Sequence, residues 1–277
     1  MREVSQTTHL PTQREQSDSA IDLHLSNLDT LFDHVALVQH PTDLVIAPVD
    51  LHRRHLKQRL SQAEEPLAAV EFVDGTTVAT RLLESAGCPT QSLDRVDRLD
   101  LLEEILTEDA RPRESFEILL GQDPATDVKA VEQTRSEIEA ITNYHPARVG
   151  PLRNTLQTLT PPIKADARDT LYGSLAVEGA LRRRTEKAPV DTELSRQATR
   201  KLVESDGSIW QTAYPNIERV SIVGLSNVSA PLIDLLTAIG RTTNVEAAIW
   251  LRAATGSALR DRLPRTLVDD PGEVFIG

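Results

Sequence analysis

The chain of 277 residues has one cysteine, Cys88, so no internal disulfide can staple the fold. A lone thiol without histidine or cysteine at ligand spacing reads as packing, and it is assigned no role. No apolar run approaches the roughly 18 residues that a membrane span requires. The opening stretch MREVSQTTHLPTQREQSDSA also lacks the apolar centre of a signal peptide. These absences predict a cytoplasmic chain with no membrane partner. Glycine is missing ahead of Gly75, lysine occurs only at Lys57, Lys129, Lys164, Lys187 and Lys201, and aromatic residues make up 3%.

What is present is acid. The formal net charge is -12, and the basic residues are almost all arginine. An acidic, lysine-poor, aromatic-poor composition resembles that of proteins from salt-loving organisms, whose carboxylates hold hydration. At roughly 1 M salt the Debye length is about 3 Å, so self-repulsion is screened. Net negative charge therefore loses its usual force as an argument against nucleic acid.

Along the chain, residues 1–20 are polar, without apolar periodicity, and read as disordered. The stretch 21–86 alternates. A helix is predicted over about 22–38, with Leu25, Leu28, Leu31, Phe32 and Val35 on one face. It leads to a strand DLVIAP, a helix VDLHRRHLKQRL, a strand LAAVEFV and a helix TTVATRLLESAG. From 87 to 214 amphipathic helices dominate: 94–109, 113–121, 127–142, 148–158, 165–185 and 191–204. Sheet returns in NIERVSIVGLSNVSAPLIDLLTAIG followed by NVEAAIWL, a βαβ pattern that implies parallel strands. The economical arrangement is one α/β domain in two portions, 21–86 and 215–277, interrupted by a helical subdomain at 87–214.

The segments TDLVIAPVDLHRRHLKQRL, AAVEFVDGTTVATRLLESAG, LDRVDRLDLLEEIL and IERVSIVGLSNVSAPLIDLLTAIGRTTNVEAAIWL resemble, in this order, the N-terminal region of the B subunit of ATP-dependent helicase/deoxyribonucleases. Those proteins belong with the superfamily 1 helicases of the RecB and UvrD type. The resemblance covers roughly 40–251 and implies an α/β class, a RecA-like (P-loop NTPase-like) parallel sheet with a large all-helical insertion. It also implies a role in DNA repair or recombination.

The resemblance implies an ATPase site, and the residues do not supply one. A phosphate loop needs glycines whose N–H groups approach the phosphates and a lysine to reach the terminal one. On this reading the loop precedes a helix starting near Ile21, where the sequence is EQSDSA. The family's Asp-Glu pair falls on Val223 and Gly224, and its amide-acid pair on Ser226 and Asn227. Valine and glycine side chains neither hold magnesium nor polarise water. The family's nuclease triplet has no counterpart either. Asp269, Asp270 and Glu273 lie near the end, but no lysine follows Lys201. The expectation is no catalytic residue, no metal and no cofactor, in the front part of a longer protein, a truncated paralogue, or a subunit whose nuclease sits elsewhere.

DNA contact is the positive expectation. In the resembling helicases, strand ends corresponding to Pro48 and to Asp74 through Thr77 lie beside single-stranded DNA. Arg53, Arg54, Thr76 and Thr77 are the candidate DNA-binding residues. Each has a plainer reading: the threonines as helix caps, the arginines as a solvated helix face. His52 and His55 share a helix face without a third metal ligand. The basic run LRRRTEK, 181–187, reads as cations at a helix C-terminus. Two functions follow. One is a catalytically silent helicase-like module that binds or guides single-stranded DNA and docks a motor or nuclease partner subunit. The other is a protein-binding scaffold without DNA contact.

Overall fold

The computed structural model describes residues 21–25, 31, 40–47, 49–62, 66–160, 163–185, 191–223, 229–251, 256–257, 260, 263 and 267–274. The segment 1–20 and Pro48, Gly224, Ser226 and Asn227 lie outside them.

The first described element is a strand, β1 (Asp22–Leu25), where the apolar spacing predicts the start of a helix. Pairing decides the matter. β1 lies parallel to a strand near the other end of the chain, with Leu23 opposite Ile249 and His24 opposite Trp250. Its period of two sends Leu23 and Leu25 into the main core, while the His24 ring stacks on Trp250 at 4.3 Å from the other face. The rest of the predicted helix, apart from Leu31, lies outside the described residues.

β2 (Asp43–Ile46) is followed by α1 (Asp50–Gln62), β3 (Val70–Val73) and α2 (Gly75–Ser85). The helical block comprises α3 (Arg95–Glu108), α4 (Ala110–Leu120), α5 (Val128–Thr142), α6 (Pro146–Thr158), α7 (Ile163–Arg184), α8 (Asp191–Glu204) and α9 (Ser208–Ala213). Then β4 (Arg219–Val223), α10 (Ala230–Thr242) and β5 (Glu246–Leu251) complete the sheet. The sheet is five-stranded in the order β1-β5-β4-β2-β3, and every pair is parallel. This is the RecA-like α/β architecture with a large helical insertion.

Both faces of the sheet are covered, as a parallel sheet requires. Leu44, Ile46, Val220, Ile222, Ala247 and Ile249 point to one face, under α2, α8 and α10. Val45, Ala47, Val70, Val223, Ala248 and Trp250 point to the other, where Leu56 and Leu60 of α1 pack. The helical insertion has its own core around Leu102, Ile105, Phe116, Val131, Val177 and Leu181. α8 and α9 instead supply Leu194, Ala198, Leu202 and Trp210 to the core under the sheet. At the start of α9, Gly207 has φ 77°, and a Cβ there would stand 2.1 Å from the Thr242 carbonyl oxygen.

Part of the acidic excess has a local use. Asp74, Asp94, Asp109 and Asp127 cap α2, α3, α4 and α5, each accepting an N–H of the first turn. No described helix is long and apolar enough to cross a membrane.

The insertion meets the sheet layer through a buried polar junction. Arg196 of α8, fully buried, donates to Glu139 at 2.6 Å, Asn143 at 3.1 Å, Glu178 at 2.9 Å and Glu193 at 2.8 Å. Arg135 donates to Glu132 at 2.8 Å, Glu139 at 3.2 Å and Glu178 at 2.7 Å. Asp234 of α10 accepts from Asn143 at 2.6 Å and from both terminal nitrogens of Arg148, at 2.9 and 2.5 Å. The turn between α5 and α6 carries Asn143 and Tyr144 at φ 49° and 51°, a left-handed conformation uncommon for a bulky residue. Tyr144 is held there by its hydroxyl donating to the Arg135 carbonyl at 3.0 Å and its N–H donating to Thr142 Oγ1 at 3.0 Å.

Candidate nucleic-acid interface

In an open parallel sheet, ligands sit beyond the carboxyl ends of the strands where the chain reverses its direction of travel. Here the chain leaves β2 outward to β3 and leaves β4 the other way to β5, so the reversal lies between β2 and β4. α1 and α10 accordingly lie on opposite faces. The carboxyl edge of this half of the sheet brings together the start of α1, the start of α2 and Val223.

α2 begins after β3 because Asp74 stops the strand and caps the helix. Its Oδ1 accepts the Thr77 N–H at 2.7 Å. The cap is thus Asp74, with Thr77 as its donor, rather than either threonine. Gly75 lets this terminus approach α10, since a Cβ there would press on Leu232 at 3.2 Å. Thr76 and Thr77 stand exposed on the first turn.

Arg53, one turn into α1, reaches both carboxylates of this edge. Its Nε donates to Asp50 at 3.1 Å, Nη2 contacts the same oxygen, and Nη1 donates to Asp74 at 3.1 Å. Hydrogen bonding to Arg53 lowers the pKa of Asp50. At Asp74 partial burial opposes ionisation, but the Thr77 and Arg53 hydrogen bonds outweigh it and the pKa falls. Arg54 points into solvent beside them. The four candidate residues therefore share one edge, with Arg53 already engaged and Arg54 exposed.

Along α2 runs an open groove lined by Asp74, Thr76, Thr77, Thr80, Arg81 and Glu84. Arg81 pairs with Glu71 of β3 at 2.8 Å and lies over the Tyr214 ring, 4.8 Å from its centroid. Sequence reading missed Thr80 and Arg81, although spacings of four and five from Thr76 place them on the adjoining stripe of the helix. Tyr214 carried no such signal, because only tertiary packing of α9 brings it to α2.

At the end of β4, Val223 is fully buried among Val45, Ala47, Ala248 and Trp250, and registers against Trp250. It offers no oxygen to a cation. Gly224 and Asn227, the other positions matched to the ATPase motifs, lie outside the described residues. The presence of β1 also shifts the position that a phosphate loop would occupy. A strand–loop–helix unit puts that loop after the strand, so it would follow Leu25 and not precede Ile21. The sequence from Ser26 to His40 contains neither glycine nor lysine.

The remaining candidates resolve into structural contacts. In the basic run, Arg182 donates to Glu178 at 2.8 Å and Arg184 to Glu108 at 2.7 Å. Asp270 presents its carbonyl to His145 Nε2 at 2.8 Å, while His145 Nδ1 caps α6 by accepting the Ala147 N–H at 3.1 Å. No group of three or more acidic, histidine or cysteine side chains suited to a metal occurs among the described residues. Cys88 packs against the main core.

A family model described as "Halobacterial UvrD-like protein" matches residues 7–277. No curated protein is similar enough to the chain to count as a relative.

Proposed function

Because the chain belongs to the halobacterial UvrD-like family, a helicase-like, DNA-related role is its premise, and we propose that it is a catalytically silent member of that class. On this reading it binds or guides single-stranded DNA at the carboxyl edge and docks a motor or nuclease partner subunit. The finer likeness is to the B subunit of a RecB-type repair or recombination nuclease, with the helical stretch 87–214 acting as an inserted subdomain. The acid-rich surface fits a salt-rich cytoplasm.

The observation that carries the silent reading is Val223. A RecA-like site needs an acidic oxygen at this strand end to hold magnesium, and here a buried hydrocarbon packs into the sheet. With no glycine or lysine from Ser26 to His40, the residues do not fit a magnesium nucleotide. The DNA reading is supported by Arg54, Thr76 and Thr77, exposed on one edge at two helix starts, where hydroxyls and N–H groups suit phosphates.

The engagement of Arg53 by Asp50 and Asp74 favours the rival scaffold reading, since a cation already paired offers less to phosphate. Fluorescence anisotropy with a labelled oligothymidylate, at low ionic strength, separates the two. Saturable binding without ATP turnover is expected, and absence of binding leaves the scaffold. Magnesium-dependent ATP hydrolysis by the purified chain would overturn the silent reading.

A further inference from the structure

β3 is an edge of the sheet, with β2 on one side and no strand on the other among the described residues. Its middle residues, Glu71 and Phe72, are half-buried, whereas all four residues of β2 are buried. The Ala69 and Val73 carbonyls accept the Thr42 and Ala47 N–H groups at 3.0 Å. Backbone groups alternate along a strand, so Glu71 faces β2 with them, and Val70 and Phe72 face outward. The Val70 N–H is taken up by the Leu67 carbonyl. The Val70 carbonyl and both backbone groups of Phe72 thus lie on the open edge.

A groove runs along this edge. Pro41, Leu67, Val70 and Phe72 make its apolar part, and Lys57 and Glu71 supply its charges. Leu67 is 48% exposed. The exposed Lys57 ammonium lies 5.5 Å from the centre of the Phe72 ring and pairs with no carboxylate among the described residues. Glu71, by contrast, is held by Arg81 at 2.8 Å. The uncompensated charge of the groove is therefore positive, in a chain whose net charge is -12.

Alternating donors and acceptors along a strand edge are matched by another extended backbone, whereas phosphate oxygens only accept. A second copy of the chain is a poor match. Added edge to edge about a two-fold axis normal to the sheet, it would set α1 against α1, and α1 carries Arg53, Arg54, Lys57 and Arg59 against Asp50 alone. Like charges would then face each other. The complement of this edge is acidic.

Resting on the reading that the chain docks a protein partner, we propose that the partner adds an extended acidic and apolar segment to β3. An apolar side chain of that segment covers Leu67 and Val70, and a carboxylate two positions away, on the same face, meets Lys57. At molar salt the ion contact is screened, so backbone bonds and apolar contact carry the binding.

The test is anisotropy of the full chain with a labelled heptapeptide in which threonine alternates with valine, isoleucine and aspartate. Saturable binding is expected. Lys57→Glu is expected to weaken it about fivefold at low salt and hardly at all at molar salt. Leu67→Asp should weaken it about tenfold at either, through lost apolar contact, and so should N-methylation of the peptide backbone, which removes edge hydrogen bonds without altering the protein. Ile118→Asp, at an exposed position on α4, should change nothing. Absence of saturable binding up to about 1 mM peptide, or binding indifferent to both Leu67→Asp and N-methylation, overturns the proposal. Displacement of the peptide by oligothymidylate assigns the groove to nucleic acid and overturns it too. So does a dimer of the chain alone, in sedimentation, that Leu67→Asp dissolves. Failure of the peptide leaves the DNA reading intact, since direct binding of oligothymidylate is measured without it.

Discussion

Arg196 and Arg53 each bridge helices through several carboxylates, yet they sit in opposite surroundings. The Arg196 side chain is fully buried and its Glu139 and Glu178 partners are 3% and 5% exposed. Arg53 is 21% exposed, and its Asp50 and Asp74 partners are 72% and 38% exposed. The first group ties α5 and α7 of the insertion to α8, and through Asn143 to Asp234 on α10. The second ties only the starts of α1 and α2. In salt-rich solvent the exposed pairs are screened while the buried ones are not. One region therefore holds a geometry at any ionic strength, and the other remains free to exchange its partners for a ligand.

Loss of one partner costs most at the junction. Arg196→Ala leaves Glu139 and Glu178 short of a counter-charge in a water-poor setting, and a loss of about 3–5 kcal/mol is expected. Urea denaturation at neutral pH measures it, and a loss below about 1 kcal/mol, the range of surface pairs, would show that the junction behaves like the edge. The pairing within the network does not imply that it is stronger than a hydrocarbon core, because desolvation offsets much of the attraction. Asn143 bridges Arg196 and Asp234, and this pairing sets how the insertion approaches α10.

This junction was the least legible part of the sequence. Glu132, Arg135 and Glu139 on α5 lie at helical spacings that read equally well as a solvated face, and their partners Glu178 and Arg196 are distant in the chain. Burial, which turns ordinary surface residues into a network, has no local signature. The sheet was easier to see. DLVI, RVSIV and EAAIWL are apolar runs buried on both sides, and turn signals bound them. β1 was misread because Leu25, Leu28, Leu31 and Phe32 satisfy a helical period, whereas the strand at 22–25 exists through pairing with β5. At the carboxyl edge the strand ends located Thr76 and Thr77. Arg81 was visible only as a helical neighbour, and Tyr214 was out of reach.

Acid acts on the buried junction through Glu178. Burial opposes ionisation of Glu178, but the guanidiniums of Arg196, Arg135 and Arg182 outweigh it and hold its pKa at about 2. A carboxyl with a folded pKa below its unfolded one stabilises the protein fully above the unfolded value and loses that contribution as pH falls through the folded one. Stability from Glu178 is therefore expected to fade from about pH 4.5 down to about pH 2. Urea midpoints followed across that window should fall more steeply in the parent chain than in Glu178→Gln, which cannot titrate. Parallel curves would mean that Glu178 does not govern the acid response.

The smallest effect belongs to the edge. Arg53→Ala removes two partly exposed ion pairs, and the expected cost at low salt is small beside that of Arg196→Ala. At molar salt the cost should approach zero, because a Debye length of about 3 Å screens the pairs, while the cost of Arg196→Ala persists. Asp74 keeps its role as cap in either case, since its bond to the Thr77 N–H does not depend on Arg53. Thermal melts of the parent and Arg53→Ala in parallel salt series measure the difference. A penalty that stays constant or grows with salt would mean that Arg53 holds the edge by packing its stem and not by charge. In that case exchange of its carboxylates for a DNA phosphate would no longer follow from screening.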